Sequence, residues 1–125
     1  MRAVVYHGPR NIRVKEVPEP KPKKGEALVR FMAGSLCGTD LHFYRGDWKT
    51  AKGRIIGHDA SGEVVETGLR VAIEPILYCG RCTLCLSGRY NLCPEGAYMG
   101  MSAQGCFADL MTIPGKNLHA IPENV

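Results

Sequence analysis

Four cysteines within fifteen residues, Cys79, Cys82, Cys85 and Cys93, constrain this chain more than any other feature. Their spacing is C-x2-C-x2-C-x7-C. Steps of three residues let successive thiolates turn back toward one centre, and the longer step lets the fourth close a tetrahedron. Zinc takes four such ligands at about 2.3 Å, and an all-thiolate shell is the closed, structural kind. Gly80, Gly88 and the polar residues between them supply the turns.

Three alternatives stand beside structural zinc. Disulfides suit a secreted protein, whereas a reducing cytosol favours metal ligation or catalysis. An iron–sulfur cluster would use the Cys93-Pro94 ending, but the step before it is seven residues where a ferredoxin run has three. A nucleic-acid ribbon needs two C-x-x-C knuckles farther apart with basic and aromatic residues between, and only Arg81 and Arg89 are offered.

The rest of the 125 residues reads as one globular domain, with 22% charged and 45% hydrophobic residues. No apolar run reaches the ~20 residues that cross a bilayer. The opening Met1–Tyr6 leads straight into His7-Gly8-Pro9 with no secretory h-region, so a cytoplasmic protein without a membrane partner is expected. Residues 1–54 carry twelve basic and five acidic residues, a net +7, against −3 for the remainder. The basic residues alternate with apolar ones, as on a solvated sheet face, and no basic-aromatic stripe suggests nucleic acid.

Short β patterns fill the chain. Arg2–Tyr6 and Ile12–Val17 form an expected hairpin around residues 7–11, and Pro18–Gly25 is a stiff basic connector. Glu26–Ala33, Ala60–Thr67, Val71–Ile76, Phe107–Ile113 and Leu118–Ile121 are further strands. Gly34–Asp47 is polar and unpatterned, and no long amphipathic helix is visible. Many short strands with glycine and proline turns predict a mainly β barrel or sandwich bearing a metal loop at about 78–94.

A second polar constellation is Cys37-Gly38-Thr39-Asp40-Leu41-His42, followed by Gly57-His58-Asp59. Cys37 and His58 are ligand types suited to a catalytic zinc with an open position, and Asp59 is a third ligand or a supporting carboxylate. Thr39 and His42 offer a hydroxyl and an imidazole that could carry a proton outward. Taken alone, a lone Cys or His is more often a core residue, and a Cys–His hydrolase dyad of Cys37 with His42 or His58 is also open.

Taken together, the two constellations resemble the zinc-dependent medium-chain alcohol dehydrogenases, over nearly all of the chain from Met1–Tyr6 to Ile121–Val125. The resemblance implies a GroES-like, partly open β-barrel as the catalytic domain across residues 1–125. It implies Cys37 and His58 on the catalytic zinc, Cys79, Cys82, Cys85 and Cys93 on a structural zinc, Thr39 as proton acceptor and His42 as relay. Gly38 is the choice of the polyol and threonine dehydrogenase branch, which implies a small alcohol or polyol substrate. NAD(P) would be held by a Rossmann domain, and the parent enzyme could be a homo-oligomer.

Some features depart from the family. Asp59 stands where Glu is usual and is one methylene shorter. Gly68-Leu69-Arg70-Val71 is shorter than the family loop, and Cys106 replaces a common Gly and reads as a small core residue. No G-x-G-x-x-G fingerprint or βαβ unit occurs in these residues, so no nucleotide-binding domain is expected within them, and the isolated chain is expected to transfer no hydride. The alternative from another class is a non-catalytic zinc-binding barrel that acts as an interaction module. Trp48 reads as a half-buried surface residue or a cleft wall, and His7 and His119 as ordinary strand or surface histidines.

Overall fold

The hairpin predicted at the start forms in the computed structural model, which describes residues 1–125: β1 (Arg2–Gly8) pairs antiparallel with β2 (Asn11–Glu16). Its turn is only Pro9-Arg10, tighter than expected, with Arg10 at a left-handed φ of 57°. β3 (Glu26–Ser35) runs two residues past Ala33 because Gly34 and Ser35 find partners in Ala60 and Asp59. The stretch that reads as unpatterned holds α1 (Gly38–Arg45). Of its residues only Asp40 and Phe43 are buried, so it carries no apolar stripe to betray a 3.6-residue period.

β4 (Asp59–Val64), β5 (Arg70–Ile73) and β6 (Ile76–Leu77) follow. The single strand expected at 71–76 is broken at Glu74-Pro75, where Pro75 has no N–H for a ladder. The cysteine-rich segment contains the single-turn α2 (Thr83–Leu86) and a 3-10 turn at Tyr90–Leu92. β7 (Ala97–Tyr98), β8 (Leu110–Pro114) and β9 (Leu118–Ala120) complete the chain. β8 begins at Leu110 rather than Phe107 because Phe107 and Ala108 face β1, while Asp109 is shared, its carbonyl accepting the Phe31 N–H of β3 at 3.1 Å. Val4 N–H donates to the Phe107 carbonyl at 2.8 Å, and Asp109 N–H to the Arg2 carbonyl at 3.0 Å.

Five antiparallel strands in the order β8-β3-β4-β5-β9 form one sheet, which curls into a half-barrel. Alternation supplies its inside: Val29, Val64, Val71, Ile73, Met111 and Ile113 pack with Met99 and Cys106. Burial of each aliphatic side chain contributes roughly 1.5–3 kcal/mol. Cys106 is fully buried among them, and burial pushes its thiol up to about 12, as suits a small core residue. A second cluster fixes α1: Phe43, 1% exposed, meets Tyr6 of β1 with ring centroids 6.3 Å apart, beside Ile56.

Asn117 joins the last strand to the base of the cysteine lobe. It is fully buried, and its Nδ2 donates to the Glu74 carbonyl at 3.0 Å and the Ile76 carbonyl at 2.7 Å. Asn117→Ala leaves both carbonyls without that donor, so we expect a loss of about 2–3 kcal/mol in the denaturation midpoint analysis. A loss under half a kcal/mol, on the order expected for a neutral surface change, would show that water replaces the amide.

Candidate metal centres

The β3–β4 register assembles the first centre. A bulge between Phe31 and Ala33 shifts the pairing so that Ser35 lies opposite Asp59. Two residues beyond Ser35, the chain turns into α1 with Cys37 as its N-cap, directly across from His58 and Asp59. One ligand atom from each of Cys37, His58 and Asp59 lies within 4.8 Å of the others. His58 is 3% exposed, while the Asp59 carboxylate is half exposed, and their nearest atoms are 3.7 Å apart. The exposed side leaves room for a further ligand from solvent.

The surroundings orient these donors. Asp40, buried at the first turn of α1, accepts the Cys37 backbone N–H at 3.0 Å. The free N–H groups of the helix start place partial positive charge beside the Cys37 sulfur. Thr39 Oγ1 lies 3.8 Å from that sulfur. The Tyr98 ring leans on His58 with centroids 5.3 Å apart. Burial, with the charges of Asp59 and Cys37, raises the Tyr98 phenol above its ordinary value. A recess of about 330 Å³ opens between residues 33–35 and 59–61 beside Asp59.

The second centre is the cysteine lobe. The sulfurs of Cys79, Cys82, Cys85 and Cys93 all lie within 4.8 Å of one another, and those of Cys79 and Cys85 are 3.8 Å apart. Backbone N–H groups point inward at them: Arg81 and Cys82 donate to Cys79 at 3.5 and 3.4 Å, and Cys85 to Cys82 at 3.4 Å. Gly80, at a left-handed φ of 77°, makes the turn between the first two. Those N–H groups bring the Cys79 thiol down to about 6, while desolvation within the cluster takes Cys85 up to about 12. Four converging sulfurs fit zinc, and the thiolate, imidazole and carboxylate of the first centre fit it also.

The remaining sequence candidates lie on α1 and on two strands. Thr39 and His42 stand three residues apart on α1, whose N-cap is Cys37. His42 is paired with Asp47 through Nδ1 at 3.0 Å, and Trp48 stacks on its ring with centroids 4.7 Å apart. His7 lies on β1 and the exposed His119 on β9. Asp40, Asp47 and Tyr98 acquire partners that the sequence did not assign. The signal available for Asp47 was its place one residue after the helix-ending Gly46; Tyr98 had none. No helix is long and apolar enough to cross a membrane.

Against known proteins, the family described as the alcohol dehydrogenase GroES-like domain matches residues 23–123. The chain is 34% identical to the sorbitol dehydrogenase of Bacillus subtilis, covering all of this chain and 39% of that protein. It is 37% identical to the L-threonine 3-dehydrogenase of Pyrococcus furiosus over 88% of this chain and 35% of that protein. A solved NAD-dependent alcohol dehydrogenase superposes with a TM-score of 0.89 at 35% identity, over all of this chain and 40% of that one. The chain thus spans about two-fifths of the length of these relatives.

Proposed function

This chain belongs to the zinc-dependent medium-chain alcohol dehydrogenase family, and from that premise we propose that it is the catalytic domain of a dehydrogenase for a small alcohol or polyol, with NAD(P) as the hydride acceptor. The observation that carries this is the meeting of Cys37, His58 and Asp59 at the N-terminus of the helix that bears Thr39 and His42. Cys37 and His58 hold the catalytic zinc, with the exposed Asp59 carboxylate as the third donor. The cysteine lobe holds a second, structural zinc. Bound at the first centre, zinc supplies Lewis-acid chemistry that favours loss of an alcohol's proton near neutral pH.

The chain's own residues handle that proton. Thr39 Oγ1, adjoining Cys37, accepts it from the substrate hydroxyl and gives up its own. His42, three residues on in the same helix, takes the proton onto its imidazole and releases it to water. Similarity to sorbitol and threonine dehydrogenases, with Gly38 after the first ligand, supports a hydroxyl-rich or amino-hydroxy substrate.

Metal content per chain tests the assignment. Elemental analysis is expected to give two zinc ions for the unaltered chain and one for Cys37→Ser, with the lobe unaffected. Two ions retained in Cys37→Ser would remove Cys37 from the metal site. One ion in the unaltered chain would favour a zinc-stabilised barrel without a catalytic centre.

A further inference from the structure

The end of α1 folds back over the His42 ring. Gly46, Asp47 and Trp48 all aim backbone N–H groups at the His42 carbonyl, at 3.0, 3.0 and 3.3 Å. That tight turn returns the next two side chains to the imidazole. Asp47 Oδ2 lies 3.0 Å from His42 Nδ1. The Trp48 indole lies almost parallel to the imidazole, at 4.7 Å and 21° between planes. Trp48 in turn packs its edge on Phe43 at 6.5 Å, and Phe43 is anchored in the barrel against Tyr6. An unbroken series of aromatic contacts therefore runs from the core to a ring whose side chain is 42% exposed.

We propose that Asp47 and Trp48 are positioning residues that hold His42 in a single tautomer and orientation, with the Nε2 lone pair free to accept a proton; this rests on the relay role given to His42 above. An ionised carboxylate can only accept hydrogen bonds, so the Asp47 contact requires the imidazole proton to sit on Nδ1. Nε2 then carries the lone pair. When the relay delivers a proton, the donor's O–H bond breaks as the His42 Nε2–H bond forms, and the substrate's proton replaces the one the donor has given up. The resulting imidazolium keeps its Nδ1–H on Asp47, whose negative charge lies against it. Loss of the Nε2 proton to water restores the starting tautomer. An unheld imidazole would spend part of its time protonated at Nε2, where it can accept nothing. The stacked indole restricts rotation of the ring.

Long-range proton–nitrogen correlation spectra of the zinc-loaded, nitrogen-15-labelled chain, with the four histidines assigned by substitution, read this directly. Above neutral pH, His42 is expected as the Nδ1–H tautomer in at least tenfold excess. Asp47→Ala should collapse that excess to the mixture of a free imidazole, and Asp47→Glu should restore part of it. Trp48→Leu should keep the tautomer but broaden the His42 ring signals through motion. Circular dichroism checks that each variant is folded, as expected for changes at half-exposed positions. A mixed or Nε2–H tautomer in the unaltered chain overturns the proposal, as does an unchanged pattern in Asp47→Ala. Zinc content measured on the same samples separates the two levels: a missing first-centre metal counts against the dehydrogenase assignment, while the tautomer decides the positioning role.

Discussion

Replacing Cys82 by Ser, or stripping the chain with a strong chelator, is expected to release the whole 79–93 lobe while the five-stranded sheet stays folded. The lobe has little other support. Neither α2 nor the 3-10 turn at Tyr90–Leu92 contains a buried residue, and Leu86 and Leu92 are 75% and 58% exposed. Apolar burial, which holds the half-barrel, is thus missing here. What remains is the Tyr78–Tyr90 ring pair at 4.6 Å, the Lys116 ammonium donating to the Tyr78 carbonyl, and the Arg81–Glu95 ion pair. Exposed pairs of this kind contribute about 1 kcal/mol or less each. Structural zinc in small sites supplies on the order of 10 kcal/mol. Hydrogen exchange should therefore show the amides of residues 79–93 passing from protected to open, and trypsin should cut after Arg81 and Arg89. Unchanged protection after complete zinc removal would refute a metal-held lobe.

Gly57→Ala is expected to destabilise the barrel by roughly 2–6 kcal/mol, from left-handed backbone strain and overpacking together, and to empty the first centre of metal without disturbing the second. Gly57 sits at φ 90°, and a Cβ there would fall 2.4–2.6 Å from three atoms of the Phe107 ring. That ring is held on one side. It meets Phe31 edge-on at 6.2 Å, and its backbone N–H donates to the Ile56 carbonyl at 3.0 Å. The added methyl would displace His58, the next residue and the buried member of the proposed ligand set. Equilibrium denaturation reads the first effect, and metal content falling from two ions to one reads the second. A fully stable variant holding both ions would mean that the turn tolerates a side chain.

The two candidate centres, as groups of converging side chains, were legible in the sequence to the extent that their members are close along the chain or carry a distinctive side chain. The cysteine lobe could be read complete, because a spacing of three residues is itself the geometry. Cys37 and His58 were legible as types, and their meeting depends on a bulge at Phe31–Ala33 that no residue pattern announces. Alternation gave most strands; it failed at Phe107, where the backbone bonds to β1 rather than to the main sheet. α1 was hidden because its buried positions are Asp40 and Phe43, one polar and one aromatic, instead of a row of aliphatics. Asp47 and Trp48 were hidden for a related reason. Their role comes from the chain reversing at a helix end, and proximity of that sort leaves no periodic trace.

The register that sets Ser35 opposite Asp59 has a thermodynamic consequence. Cys37 and His58 are reached from two central, hydrogen-bonded strands, so their meeting is conditional on the pairing of β3 with β4. Whatever binds across them is a strap over that ladder. By mass action, a ligand present at a hundred times its Kd would strengthen the pairing by about 2.7 kcal/mol, and a sheet that opens there surrenders the ligand at the same moment. Occupancy of the first centre and integrity of the half-barrel are therefore two readings of one equilibrium.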